Sequence, residues 1–463
     1  MKSFRFKIRP ALLISLSLLG YVGYFVACTQ KDQILTTGPA PVNSTNLVSL
    51  KATTPPTIDG AIDQAWDKAE KLYITPTVPD PGNGLFAGYI GEQYNVTLRS
   101  MYDANNIYFL AEISDPTQSV IVSPWYFNPT LNVAGKTTGW QKEPSSRTYD
   151  VNGVLTRAAM GEDKIAMLWN VNNSTPKFIT QTCYSSCHVF TPYLDYSKTP
   201  AVMNANASGN HYTNGGAEKI DMWWGRLGYM SKDASLNFLD DNYQDWAGGP
   251  TYSDVTGGNA NGRHVDGIYP NGTFSTTWPN RPNYSTSPPK QGEFSNQQSL
   301  KLDGTGAAVN VPIWVVPGAV TTGFLMASDT AGAALKVIKV SSAGVLTLSD
   351  NSTIDPTADT GYQRSGDPVT GPTAAKGIPA YVALPLLNER ADITSVAVYG
   401  GSGWVVEYKR ALKTGDILNQ DIDFTANKNT DGSLSDQPFG VAIWNQSNNQ
   451  HGIQPNLLLQ FQK

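Results

Sequence analysis

Cysteine and histidine are nearly missing from this chain: 463 residues hold three of one and four of the other. No second Cys/His pair stands at zinc-ligand spacing, and no Cys-x-x-Cys accompanies a βαβ pattern, so a structural zinc site and a thioredoxin-type dithiol have little to stand on. Charge is sparse as well, at 15% Asp, Glu, Lys and Arg with a formal net charge of −5, which leaves no basic stripe for nucleic acid. Helical periodicity is almost absent. Its clearest instance, "IDQAWDKAEKL" at Ile62–Leu72, predicts a helix of about three turns. Nor is there a Ser/His/Asp arrangement, a phosphate-cradling glycine loop or a zinc-protease motif, so nothing points to hydrolysis or nucleotide chemistry.

What the chain has is 42 glycines, 30 prolines, 22 tyrosines and 11 tryptophans, the composition of an extracytoplasmic β-protein with turn-rich loops. "YNVTLRSMYDANNIYFLAEISD" reads as two strands around a turn at Asp103-Ala104-Asn105-Asn106, with apolar residues alternating on each side. "DKIAMLWNVNN", "AKGIPAYVALPLL", "ITSVAVYGGSGWVVEYKRAL" and "PFGVAIWNQ" are further short strand-type runs bounded by Gly, Asn, Asp or Pro. The pattern predicts a mainly antiparallel all-β fold, a β-sandwich with few short helices. Residues 240–298 have almost no apolar periodicity and are expected to form a loop-rich excursion from the sandwich.

The beginning of the chain reads as targeting. A basic "MKSFRFKIR" precedes an apolar stretch that ends in Ala27-Cys28, the pattern of a signal peptide over 1–27, although a membrane-spanning helix of similar length competes. Cleavage at this box makes Cys28 a lipidated N-terminus, residues 28–47 a tether and 48–463 the folded domain. With Thr29 rather than Asp after the cysteine, the outer membrane is the expected destination, on its periplasmic or cell-surface side.

Once Cys28 is assigned to lipid, the other two cysteines fall four positions apart in "TCYSSCH", with His188 directly after Cys187. Two thiols can add to the vinyl groups of a haem while the adjacent histidine ligates the iron, the chemistry behind Cys-x-x-Cys-His. Cys183 and Cys187 are one residue further apart than in that motif. The competing reading is a Cys183–Cys187 disulfide loop with an incidental histidine, since extracytoplasmic cysteines pair readily.

Here the chain resembles a known family, the haem-binding domains of the ethylbenzene dehydrogenase and dimethylsulfide dehydrogenase type. "PPTIDGAIDQAWDKAEKL" is similar to the family's opening, an element shared with family 9 carbohydrate-binding modules. "VTLRSMYDANNIYFLAEISDPT" resembles its next hairpin, and "GEDKIAMLWNV" followed by "CYSSCH" resembles the segment in which members with covalent haem carry Cys-x-x-x-Cys-His. "EKIDMWWGRLG", "LDDNY", "VVEYKRALKTGD" and "QPFGVAIWN" are similar to later segments. The resemblance implies a sandwich carrying one covalent haem c, with Cys183 and Cys187 as thioether links and His188 as proximal ligand. It also implies an electron-transfer role beside a redox partner such as a molybdenum-containing oxidoreductase or another cytochrome, as an electron carrier rather than a catalyst.

The sequence departs from the family where Asp-x-Trp-His-Trp-Lys is usual, because it reads Trp223-Trp224-Gly225-Arg226. Arg226 is a candidate partner for a haem propionate but a poor iron ligand, since it stays protonated. Met203 and His211, in the loop after the motif, are the candidate distal ligands, with Met222 as an outside candidate that strand alternation assigns to the core. His264 and His451 sit in polar contexts and are expected at the surface. "NKNTDGSLSD" from Asn427 echoes a calcium loop, but Pro438 at its twelfth position favours a hairpin. Asp240-Asp241 is expected to serve in loop hydrogen bonding. The alternative from another class is a carbohydrate- or surface-binding sandwich without haem, in which aromatic residues contact sugar.

Overall fold

The computed structural model describes residues 45–80, 86–133, 136–186, 193–195, 202–204, 213, 216–245, 263–266, 292–319, 323–370, 373–416 and 418–463. Its main body is one twelve-stranded sheet. In chain order the strands are β1 (Asn46–Lys51), β2 (Leu72–Ile74), β3 (Val96–Tyr102), β4 (Asn106–Ser114), β5 (Glu162–Asn170) and β6 (Ile220–Arg226). Then come β7 (Phe238–Gln244), β8 (Arg263–Val265), β9 (Ile393–Tyr399), β10 (Gly403–Ala411), β11 (Gln437–Ser447) and β12 (Gly452–Phe461).

Spatially the order is β1-β12-β11-β5-β6-β7-β9-β10-β4-β3-β2, with β8 added to β7. Every pairing is antiparallel except those of β1, which runs parallel to β12 through Asn46–Ser49 and parallel to β3 through Ser49–Lys51. One strand thus connects β12 to β3 and closes most of the sheet on itself, with the short β2 bordering β3 beside it. The halves face each other. Phe109 of β4 lies 5.7 Å from the Trp169 ring of β5 and 5.8 Å from Trp223 of β6, although several strands separate them along the sheet. That is the packing of a sandwich, with a mainly β core of Trp, Phe, Tyr and branched aliphatic side chains.

Local chemistry explains the clearest hairpin. Asp103 Oδ1 accepts from the amides of Asn105 and Asn106, each at 2.8 Å, so the side chain closes the turn between β3 and β4 that the sequence predicts. The expected helix at Ile62–Leu72 is instead a single 3-10 turn, Gln64–Lys68, followed by extended backbone at Ala69 and by β2. The periodicity lost to a long-range contact: the Trp66 indole donates to Glu407 Oε1 of β10 at 2.8 Å, which ties the segment down before a second turn forms.

A second apolar cluster, not anticipated from the sequence, joins Trp125, Phe127 and Trp140 to Val311, Val337, Leu346 and Tyr362 from the long connection between β8 and β9. Among the described residues no helix is long and apolar enough to cross a membrane.

Candidate functional site

The start of the cysteine motif leaves β5 through a short helical turn, Phe178–Gln181, and enters a 3-10 turn, Thr182–Ser185. Thr182 takes φ 46° and ψ −115°, a conformation that non-glycine residues avoid. Two hydrogen bonds hold it there. Its hydroxyl donates to Asn456 Oδ1 at 2.9 Å and accepts from the Asn456 amide at 2.7 Å, which fastens the turn to β12. Ser185 Oγ closes the turn by donating to the Thr182 carbonyl at 2.7 Å.

Thr182 in turn sets Cys183, which is buried in an apolar cluster with Leu168, Phe178, Ile220, Met222 and Ile453, while Tyr184 and Trp224 pack at the edge. Strand alternation selects these partners: Ile220, Met222 and Trp224 point to this face of β6, whereas Trp223 points into the sandwich core. Beneath the thiol β11 has no side chain. A Cβ on Gly440 would stand 2.7 Å from Cys183 Sγ and 2.8 Å from Thr182 Cγ2, so glycine permits this approach.

Of the other sequence candidates, Cys187, His188, His211 and Cys28 lie outside the described residues. Met203 belongs to a short strand, Val202–Asn204, whose backbone pairs with Tyr193–Asp195 so that Met203 opposes Leu194; its side chain lies outside the described residues. Met222 is buried in the core, as expected, within the apolar cluster beside Cys183, where Gln244 Nε2 stands 3.5 Å from its sulfur.

Arg226 shares that face of β6 but sits four residues along from Met222, about 13 Å at strand rise. It is buried, its Nε lies 2.7 Å from Glu162 Oε1, its Nη1 meets Glu293, and its guanidinium stacks 4.0 Å from the Tyr229 ring centroid. Any propionate reaching it would have to displace a carboxylate.

The two remaining histidines differ from expectation. His264 is buried, because β8 pairs with β7; its Nε2 faces Asp245 Oδ1 at 3.2 Å, and its ring lies 5.0 Å from that of Tyr243. His451 is half-buried and stacks on Trp444 at 4.4 Å, and burial lowers its pKa to about 4. The segment from Asn427 does form a hairpin-like loop, with Lys428 opposite Leu434.

Asp240 and Asp241 are strand residues of β7 rather than loop caps. Alternation turns Asp240 toward Arg390, whose Nε is 2.7 Å away, and Asp241 into the sandwich. There Asp241 meets Asp221 and Asp421, one carboxylate oxygen of each lying within 4.8 Å of the others, with Arg410 alongside. Sequence reasoning missed this group, because its members are spread over 200 residues, and only the inward strand positions of Asp221 and Asp241 hint at it, Asp421 coming from the loop after β10.

A family model described as ethylbenzene dehydrogenase matches residues 63–455. The chain belongs to the ethylbenzene dehydrogenase family. Its matched span runs from the 3-10 turn at Trp66 to β12 and so takes in the whole motif segment. No curated protein matches. Among solved structures, the chain is similar to a family 9 carbohydrate-binding module from Caldicellulosiruptor kristjanssonii in complex with glucose, at 8% identity and a TM-score of 0.25, over 90% of this chain and 95% of that one. The same organism's module in complex with cellotriose gives 9% identity and a TM-score of 0.24, over 90% and 93%.

Proposed function

We propose that this family member is an extracytoplasmic, c-type cytochrome-like electron-transfer protein with one covalent haem. Cys183 and Cys187 are its thioether links and His188 its proximal ligand. The observation that carries the reading is the seating of Cys183: the thiol stands over Gly440, is fixed by the Thr182–Asn456 lock, and lies against an apolar wall with aromatic side chains at its edge. Such a wall fits the apolar face of a porphyrin, and Cys187 and His188 follow within five residues of the anchored thiol. The bound haem supplies one-electron redox chemistry.

The chain's own residues hold and shield the group. Leu168, Ile220 and Ile453 exclude water from the thiol side, and the strained Thr182 prevents the first link from drifting. The distal ligand is Met203 or His211, and Met222 becomes a third candidate through its place on the wall. Arg226 is already paired with Glu162 and Glu293, so in this reading it serves a propionate only by exchanging one of those carboxylates for it. In this reading the chain is lipid-anchored through Cys28 at the outer membrane. It passes electrons to or from a redox partner, a molybdenum-containing oxidoreductase or another cytochrome, and is a carrier rather than the catalyst.

The test is a reduced-minus-oxidised spectrum of protein made with cytochrome c maturation machinery, followed by acid-acetone extraction and a pyridine haemochrome assay. Haem that resists extraction in the native chain and disappears in Cys183→Ser/Cys187→Ser is the expected result. A colourless protein with a Cys183–Cys187 disulfide by mass spectrometry would overturn the reading and leave the haem-free binding sandwich.

A further inference from the structure

The interior of the sandwich ends in a group of carboxylates that the haem reading does not use. Asp221 of β6, Asp241 of β7, Asp266 directly after β8 and Asp421 beyond β10 are all buried, and Asp392, just before β9, abuts them. Among the described residues, the half-buried Lys219 stands near Asp266, and the fully buried cation paired with these acids is Arg410 of β10. Its Nη1 lies 2.8 Å from Asp221 Oδ2 and its Nη2 3.0 Å from Asp421 Oδ2, while its Nε remains 3.9 Å from Asp241 Oδ2. The Ile422 amide donates to Asp221 Oδ2 at 2.8 Å.

Those donors are too few. Among the described residues, no N–H or hydroxyl donor reaches either oxygen of Asp241 or of Asp266, nor Asp221 Oδ1 or Asp421 Oδ1; Asp241 meets the carboxyls of Asp221 and Asp392, and Asp266 that of Asp421. Buried carboxylates in folded proteins are almost always supplied with donors or a cation, because charge removed from water without compensation is costly. Arg410 holds Asp221 and Asp421 at hydrogen-bond distance but reaches Asp241 only at 3.9 Å, and Asp266, wholly buried and directed at the same group, has only the half-buried Lys219 in its neighbourhood, so the acids outnumber the cations that face them.

We propose that Asp221, Asp241, Asp266 and Asp421 hold a calcium ion. Only hard oxygen ligands converge here, and neither a cysteine nor a histidine belongs to the group, which excludes the soft and borderline metals. The spacing fits: two oxygens each about 2.4 Å from a shared calcium ion lie at most about 4.8 Å apart, and one oxygen each from Asp221, Asp241 and Asp421 meets that limit. Calcium suits a buried cage with several carboxylates better than magnesium, which keeps most of its water. The ion is structural in this position, because its ligands come from β6, β7, the end of β8 and the loop after β10 and so join four separate parts of the chain.

The test is native mass spectrometry of the full chain purified in calcium, paired with metal analysis before and after EGTA. One calcium per chain is expected, with a lower melting temperature after chelation that calcium restores. Terbium added to the calcium-free chain should luminesce on tryptophan excitation, since the Trp223 ring centroid is 5.1 Å from the Arg410 guanidinium inside the same group. Asp266→Asn, at the group's edge, should weaken calcium binding at least tenfold, the loss seen even for outer-shell partners of metal ligands. The inference fails if the native chain carries no metal in excess calcium and its melting temperature is indifferent to both calcium and EGTA. Because the readout is calcium content, this result is independent of whether haem is attached.

Discussion

Adding one methyl group at Gly440 tests how firmly the cysteine motif is seated. In Gly440→Ala the new Cβ would meet Cys183 Sγ at 2.7 Å and Thr182 Cγ2 at 2.8 Å, well inside the ordinary contact distance of about 3.5–4.0 Å. Something must retreat by about 1 Å, and the options are poor. Gly440 is in the middle of β11, paired with Leu168 of β5, and Thr182 is held in a strained conformation by both hydrogen bonds to Asn456. Overpacking of this kind costs about 1–3 kcal/mol, measurable as a lower denaturation midpoint in guanidinium at unchanged slope. Thr182→Gly removes the Cγ2 obstacle and the backbone strain but also the lock, so it is destabilising by itself by about 1 kcal/mol. The double variant should then be less destabilised than the two single losses added together, because the residues touch and relaxation of one relieves the other. In haem-loaded protein the same displacement of Cys183 should move the reduction potential. A Gly440→Ala chain as stable as the native one, or strictly additive losses, would refute the close approach.

Three further outcomes follow from other parts of the fold. Glu407→Ala removes the acceptor for the Trp66 indole at 2.8 Å and for the amides of Gly60 and Asp59 at 2.8 and 3.2 Å. It should cost about 2–4 kcal/mol in guanidinium unfolding, and a loss under 1 kcal/mol would show that the Trp66 turn is held by packing alone. Arg226→Met leaves Glu162 buried with only Lys164, 3.4 Å away, to balance it. A loss of about 3 kcal/mol is expected, with recovery in Arg226→Met/Glu162→Met; a double variant no better than the single would place the value of Arg226 in its stacking on Tyr229. His451 has a folded pKa of about 4, below its ordinary value near 6.5, because burial against Trp444 disfavours the charged ring. Its contribution is therefore intact above pH 6.5 and is lost as pH falls from 6.5 toward 4, by at most about 3 kcal/mol. Thermal melts from pH 8 to 4.5 should show a steeper fall for the native chain than for His451→Phe, and parallel curves would contradict the assignment.

The parts of this fold that are legible in the sequence are those decided within a few residues. Asp103 closes its own turn, and alternation in "VTLRSMY" and "IYFLAEI" already separates the faces of β3 and β4, so the hairpin and the β class follow from local chemistry. The spacing of Cys183, Cys187 and His188 is likewise a local signal, and of the three only Cys183 lies within the described residues. What is hidden depends on partners far away. The Trp66 turn stops short because Glu407 is 341 residues on. His264 sits in a Gly- and Asn-rich stretch and yet is buried, since β8 pairs with β7. Asp240 and Asp241 are adjacent in sequence but face opposite ways, one toward Arg390 and the other toward Arg410. No local pattern announces that Gly440 lies beneath Cys183.

Strand β6 brings the two proposed sites together, because its alternation serves both. Ile220, Met222 and Trp224 form one side of the Cys183 wall. Asp221 and Trp223, interleaved with them, face inward to Arg410 and the carboxylates. A cation bound to Asp221 and Asp241 would pin β6 to β7 from inside, and so hold the wall against which the cysteine motif rests. Removal of calcium should then raise amide hydrogen exchange across residues 220–226 and 238–244 more than in the β3–β4 hairpin, which has no ligand in the group. If EGTA strips calcium from the chain while exchange in β6 stays unchanged, the ion holds the loop around Asp421 alone, and the wall is supported entirely by its neighbours β5 and β7.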